Sequence, residues 1–193
     1  KWRNSMLVSA LITGIAAVHY LYMRDAYAAM GDEGVTAFRY VDWILTVPLM
    51  CVEFYLILQK AGAQKSLLWN LIFLSTVMLV TGYVGEAELG NAAIWGGVSG
   101  AAYFAICYIL WFGSAGELAN KAGGAVLEAF TALKWFVLVG WAIYPIGYMA
   151  GTEGWYSGIF GGLDGSMQLI YNIGDAINKI GFGLVIYNLA VAK

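Results

Sequence analysis

Long apolar runs alternate with short polar or glycine-rich separators along this whole chain. The runs cover about residues 5–27, 35–59, 66–84, 92–112, 125–150 and 163–192. Crossing a hydrocarbon core takes roughly 20 apolar residues as a helix, so each run predicts one membrane-spanning helix. The last run is longer than needed and is expected to tilt or project into water. The separators read GDEG at 31–34, KAGAQK at 60–65, GEAELGN at 85–91, SAGELANKAGG at 114–124 and GTEGWYSGIFGG at 151–162. A membrane β-barrel would instead show segments of about ten residues with alternating polarity, and none is visible. No separator is long enough to lead into a second domain, and no internal repeat is evident. The expectation is an all-α membrane protein, one domain over residues 1–193.

Composition agrees. The chain is 61% hydrophobic and only 11% charged, whereas soluble domains carry about 25% charged residues. Its mean hydropathy is +0.72. A soluble helical protein could not cover so much apolar surface, so lipid is the expected surrounding. There is no basic tract and no zinc-type spacing, which argues against nucleic acid. Cys51 and Cys107 both lie inside apolar runs and read as small packing residues rather than a disulfide. No charged leader with a short apolar core and a cleavage site opens the chain, so no removable signal peptide is expected.

Charge in the separators alternates in sign. Lys1 and Arg3 precede the first run, Lys60 and Lys65 follow the second, Lys121 follows the fourth, and Lys193 ends the chain. Between them come Asp32 and Glu33, then Glu86 and Glu88, then Glu153 and Asp164, with Arg24 the one cation near that side. Excess Lys and Arg marks the cytoplasmic face. Both visible ends are therefore expected in the cytoplasm and the acidic loops outside.

Some ionisable residues do not fit in loops. Asp42, Glu53, Asp175 and Lys179 lie well inside runs, with Arg39 about one turn further out than Asp42. Such residues are costly in lipid and are functional candidates by default. At 100° per residue, Arg39, Asp42, Thr46, Met50 and Glu53 share a stripe about 80° wide, with Trp43 at its border. Pro48 falls on the opposite side and should bend the helix or free a carbonyl. Asp42 and Glu53 are separated by about 16 Å along the axis. They cannot share one proton, but they could be two stations on a proton path. Asp175 and Lys179 are an i,i+4 pair on one face. They could form a plain ion pair, although burying one costs desolvation. A desolvated lysine in its neutral form can also condense with a carbonyl compound to a Schiff base. Asp175 or Asp42 would then supply the counterion.

His19, the one histidine, lies mid-span. Such a residue is ordinarily a packing residue, but beside a carboxylate it could share that group's proton. In WAIYPIGY at 141–148, Trp141, Tyr144 and Tyr148 share a helical face, and Pro145 offers a bend. Aromatics so spaced are more often core than cofactor contacts. The glycines at 96, 97 and 100 suit close helix packing, or leave room for a bulky ligand.

Taken together, RYVDWILTVPLMCVEFYLIL at 39–58, WAIYPIGY at 141–148 and IYNIGDAINKIGFGLVIYN at 170–188 resemble the third, sixth and seventh helices of the microbial rhodopsins, in particular the proteorhodopsins. HYLYMRD at 19–25 and VMLVTGYVGEA at 77–87 are similar to the second and fourth. The resemblance implies a seven-transmembrane-helix bundle around all-trans retinal, of which the second to seventh helices are visible. The first is missing, which suggests a truncated chain. It further implies a Schiff base at Lys179, with Asp42 as proton acceptor, Asp175 as second counterion and Arg39 on the extracellular side of both. Glu53 would be the cytoplasmic proton donor. Thr46 would hydrogen-bond near Asp42 or on the donor side, His19 would pair with Asp42, and Tyr20 and Tyr144 would bond Asp175. Trp43 and Trp141 would sandwich the polyene, and Met50, Met78, Pro145 and Tyr148 would complete the pocket. Gly82, Ser99 and Gly100 are further candidates at its ring end.

Asp42, Thr46 and Glu53 match the pattern of outward proton pumps. Inward chloride pumps have a neutral acceptor, sodium pumps an Asn–Asp–Gln set, and sensory relatives usually lack the carboxylic donor. The resemblance thus implies a light-driven outward proton pump, a carrier rather than an enzyme, in the cell inner membrane. A sensory photoreceptor is the alternative. Methionine at position 50 implies green absorption, and the family implies homo-pentamers or hexamers. A carotenoid antenna is left open by the small residues at 96 and 97. No glutamate pair of the bacteriorhodopsin proton-release type is evident.

Overall fold

The computed structural model describes residues 2–163 and 165–192, excluding the side chains of Asp32 and Glu33. The charges that the loop pattern assigns to Lys1, Asp32, Glu33, Asp164 and Lys193 lie outside the described residues.

Among the described residues, six helices long and apolar enough to cross a membrane follow one another. They are α1 (Arg3–Met30), α2 (Thr36–Leu58, prolonged by a 3-10 turn Gln59–Ala61), α3 (Lys65–Glu86), α4 (Ala92–Phe112) continued by α5 (Ser114–Ala122), a fifth composite span from Gly124 to Gly151, and a last helix from Met167 to Val191. The composite span comprises α6 (Gly124–Trp135), a π-helical segment (Phe136–Gly140) and α7 (Ile143–Gly151). A short helix α8 (Ser157–Phe160) and a 3-10 turn (Gly161–Leu163) precede the last helix, α9 (Met167–Val191). Successive helices α1 to α4 pack side by side, and α9 closes against α1, α6 and α7.

The bundle is polar inside and apolar outside. On α2, Arg39, Asp42, Thr46 and Glu53 are buried while Phe38, Val41 and Leu45 are exposed. On α9, Asp175, Asn178 and Lys179 are buried while Ile173, Ile177, Ile180 and Leu184 are exposed. In water this would be the wrong way round. In lipid the exposed side chains meet a matching solvent, and the polar stripes must find partners in the bundle.

Three expectations are corrected. The separator at 114–124 is largely helical: α5 turns fully buried Ala115 and Ala119 inward, so its small residues dock it. The left-handed φ of +62° at Gly123 and +50° at Gly124 breaks it from α6, a conformation that glycine alone adopts cheaply. The last span begins at Met167 rather than 163, because residues 157–163 form their own short turns. Glu86, assigned to an outer loop, is the last residue of α3, and its carboxyl turns inward. Pro48 stands inside α2, which runs through it unbroken.

The π segment opens the fifth span opposite α4 and α9. Tyr144 N–H bonds to the Trp141 carbonyl rather than that of Gly140. The Gly140 carbonyl accepts instead from Asn178 Nδ2 of α9, at 2.9 Å. From α4, the Tyr103 hydroxyl bonds the Leu138 carbonyl at 2.6 Å. Side chains from two neighbours thus satisfy backbone that a regular helix would satisfy itself, as buried carbonyls require.

Candidate functional site

Lys179 is the centre. Its amine lies between two carboxylates, touching Asp42 Oδ2 of α2 and standing 3.1 Å from Asp175 Oδ2 one turn away on α9. The side chains are almost sealed, with at most 4% of Lys179 and 1% of Asp175 exposed. The buried ammonium is thus paired with anions, as a low-dielectric interior demands.

The two carboxylates are held very differently. Asp175 accepts from the hydroxyls of Tyr20 (2.7 Å, Oδ2) and Tyr144 (2.7 Å, Oδ1), and from the Trp43 indole N–H at 3.1 Å to both oxygens. The tyrosine contacts match the resemblance; the indole contact is an addition, because Trp43 read only as a cofactor wall. Asp42 has Lys179 on Oδ2, but its buried Oδ1 has no hydrogen-bond partner among the described residues. His19 Nδ1 is 3.9 Å from that oxygen, beyond hydrogen-bond reach, and lies 3.0 Å from the Ile15 carbonyl. A carbonyl only accepts, so this nitrogen carries the hydrogen. The expected His19–Asp42 pairing is therefore proximity without a hydrogen bond. The Thr46 hydroxyl bonds the Asp42 backbone carbonyl at 2.9 Å.

Glu53 lies nearer the Lys60 end of α2 and is fully buried. Its Oε1 accepts from the Ser9 hydroxyl of α1 at 3.0 Å, and Oε2 has no partner among the described residues. Ser9 was not singled out from the sequence. A serine repeating at i,i+4 with Ser5 on an otherwise apolar helix was the available signal, and both are buried. At the opposite end, Arg39 donates to Gln168 Oε1 (2.7 Å) and Asn172 Oδ1 (3.0 Å) of α9. Its guanidinium lies over the Tyr171 ring, 5.2 Å from the centroid, a favourable cation–π geometry. These three α9 partners were also missed, because polar residues near a span end look like ordinary boundary residues.

Beside this polar centre is an apolar cavity of about 610 Å³, within the range of cofactor sites. Trp43, Met78, Trp141, Tyr144, Pro145 and Tyr148 border it, and so do Gly82, Ser99 and Gly100. Trp43 and Tyr144 therefore both wall the cavity and donate to Asp175, the neighbour of Lys179. The cavity is thus linked to the amine through these two side chains, an arrangement that suits an elongated apolar group beside Lys179. Met50, although buried, belongs to the packed core rather than the cavity wall. The glycines divide. At Gly96 an added Cβ would lie 2.6 Å from the Tyr148 ring, whereas at Gly97 and Gly100 it would meet nothing within 4 Å. The first permits close packing, and the other two leave space.

Known proteins share this fold. A family profile described as bacteriorhodopsin-like protein matches residues 1–193. The chain is 45% identical over 196 residues to the green-light absorbing proteorhodopsin of Gamma-proteobacterium EBAC31A08, covering 100% of this chain and 76% of the relative. It is 44% identical over 194 residues to the blue-light absorbing proteorhodopsin of Gamma-proteobacterium Hot 75m4, with the same coverage. The crystal structure of blue light-absorbing proteorhodopsin from Med12 superposes with a TM-score of 0.80 at 40% identity, over 98% of this chain and 83% of that one. Xanthorhodopsin, described as a light-driven ion pump with dual chromophore, superposes at 0.76 with 32% identity, over 98% and 80%. The six spans correspond to helices of the seven-helix bundle of those neighbours. The chain therefore belongs to the bacteriorhodopsin-like family, the microbial rhodopsins, with proteorhodopsins among its relatives.

Proposed function

We propose that the chain is a light-driven outward proton pump carrying all-trans retinal on Lys179. The observation that carries the reading is the inequality of the carboxyls around one buried amine. Asp42 and Glu53 each keep a buried oxygen without a hydrogen-bond partner among the described residues, while both oxygens of Asp175 are occupied. The former can take or give a proton without breaking an existing bond; the latter cannot. The residues fit the cofactor, because an apolar cavity of about 610 Å³ is walled by Trp43 and Tyr144, the same side chains that donate to Asp175 beside the amine. When bound as a Schiff base, retinal would supply a light-driven isomerisation that turns the nitrogen's N–H toward a new partner.

Asp42, in contact with Lys179, accepts the proton on its free Oδ1. Asp175, fixed by Tyr20, Tyr144 and Trp43, stays ionised and balances the positive charge. Arg39 keeps a cation on the outer side of both, and proximity to His19 adjusts how firmly Asp42 holds its proton. Glu53 begins protonated and supplies the replacement proton from the cytoplasmic side. Trp43 and Trp141 wall the chromophore, and Met50, packed in the core rather than on the cavity wall, favours green absorption. The visible ends face the cytoplasm of the cell inner membrane, and the protein assembles as a homo-oligomer, a pentamer or hexamer.

The test adds all-trans retinal to membranes containing the protein and records visible absorbance and light-driven pH change, with and without a protonophore. A visible band with outward acidification abolished by the protonophore is expected. No band would refute cofactor binding; a band without proton movement would refute the pump and favour a sensory photoreceptor.

A further inference from the structure

Glu86 ends α3 on the same side of the bundle as Arg39 and has no part in the mechanism above. Its backbone reaches the outer surface, but its carboxyl points inward. The hydroxyls of Tyr40 on α2 and Tyr171 on α9 both donate to Oε2, at 2.9 and 3.1 Å. Oε1 is buried and has no hydrogen-bond partner among the described residues. This is the signature of Asp42 and Glu53, one free buried oxygen on a carboxyl, and Asp175 does not share it. Two phenols on one oxygen suit a carboxyl whose other oxygen can bind a proton, since the loaded oxygen would not displace a donor.

The surroundings are built for this group. Tyr171 faces Glu86 with its hydroxyl and Arg39 with its ring. Tyr40 and Tyr171 each pack edge-on against Trp43, at 5.0 Å between centroids. Gly82 and Gly85, on the α3 turn before Glu86, admit the surrounding tyrosines. A Cβ at Gly82 would lie 3.1 Å from the Tyr40 hydroxyl, and one at Gly85 would overlap that of Tyr148. The charged and titratable groups around the carboxyl are thus Arg39, Tyr40, Tyr148 and Tyr171. Along the bundle the free-oxygen carboxyls run in the order Glu53, Asp42, Glu86, from the lysine-rich end to the acidic one.

We propose that Glu86 is the outer proton station of the pump, binding and giving up one proton in each cycle. The assignment rests on the outward-pump reading. The proton that leaves Asp42 forms an O–H bond on Oε1 of Glu86. That bond then breaks to a solvent acceptor at the outer surface, while Oε2 keeps both phenol bonds. A single carboxyl with two tyrosines would do here what the sequence suggested no glutamate pair was present to do.

The test is Glu86→Gln. Glutamine keeps a carbonyl oxygen for Tyr40 and Tyr171 and removes only the proton-binding group. Retinal-loaded protein is flash-excited while a pH-sensitive dye reports protons in the bulk and time-resolved infrared reports carboxyl C=O bands, with glutamate carbons isotopically labelled. The expected result is an Asp42 band that rises at the unsubstituted rate, a bulk proton signal delayed at least about tenfold, and loss of one glutamate C=O difference band. An unchanged release time, or no glutamate band missing, would overturn the assignment. If E86Q does not assemble, Glu53→Gln answers the same question: a labelled glutamate band that persists supports the assignment, and its absence refutes it. A protein that pumps normally with E86Q sinks only the role of Glu86. An unsubstituted protein that moves no proton sinks the pump reading and this assignment with it.

Discussion

Asp42 and Asp175 both touch Lys179, and they divide the work through their remaining contacts. Asp175 receives three donors from three helices. Replacing it with asparagine would leave an amide facing hydroxyls and an indole built for an anion, and buried unpaired groups cost about 1–3 kcal/mol each. Asp175→Asn is expected to lower the yield of coloured protein and its thermal stability, read by absorbance on heating. Asp42→Asn should form colour but lose light-driven acidification by at least about a hundredfold, as loss of a proton acceptor does. Full pumping by D42N would refute its role. At Glu53 the Ser9 hydroxyl is a donor, at 3.0 Å. Ser9→Ala removes about 1 kcal/mol of stabilisation from the carboxylate left after donation, so reprotonation slows about fivefold, measured by flash photolysis. Glu53→Gln is more severe. Reprotonation must then come from the bulk, and its rate should fall about tenfold per pH unit in proportion to proton concentration. A flat pH profile would show that Glu53 is not the donor. The charged residues themselves were legible, because an ionisable group in an apolar run stands out against its neighbours. Their hydroxyl and amide partners were not, since serine, tyrosine and asparagine are common in such runs and only three-dimensional packing selects Ser9, Tyr171 or Asn178.

At the scale of elements, all six spans were readable from hydrophobic length alone, and the errors fall at their ends. There burial is decided by neighbours rather than by composition. The docked α5 reads as a polar loop because its buried face is two alanines, and Glu86 reads as a loop charge because it lies at a helix terminus. The π segment had no visible signal at all. It depends on Asn178 and Tyr103 reaching across from other helices. Gly140 belongs to that device: a Cβ there would lie 2.0 Å from Asn178 Oδ1. Gly140→Ala should displace the residue next to Lys179 and cost about 1–3 kcal/mol, the usual range for overpacking. A lower bleaching temperature with a shifted absorption maximum is the expected readout, and an unperturbed spectrum would show that the π segment does not position the α9 site.

At the scale of the whole molecule, the direction of pumping follows from how the bundle sits in the membrane. Glu53 lies toward the end of α2 that leads to Lys60 and Lys65, while Arg39 and Glu86 lie toward the end marked by Glu88 and Glu153. If the cationic end faces the cytoplasm, Glu53 loads from inside and the protein pumps outward. If the bundle were inverted, the same chemistry would move protons inward. Single cysteines resolve the two cases without reference to light. Gln64 and Glu153 are both exposed, one at each end, whereas Cys51 and Cys107 are buried, so the native thiols should stay silent. In intact spheroplasts, a membrane-impermeant maleimide should label Glu153→Cys and spare Gln64→Cys until the membrane is opened. Labelling of Gln64→Cys alone would reverse the topology. Outward acidification could then not be reconciled with Glu53 as donor, because the donor would face the compartment into which protons are released.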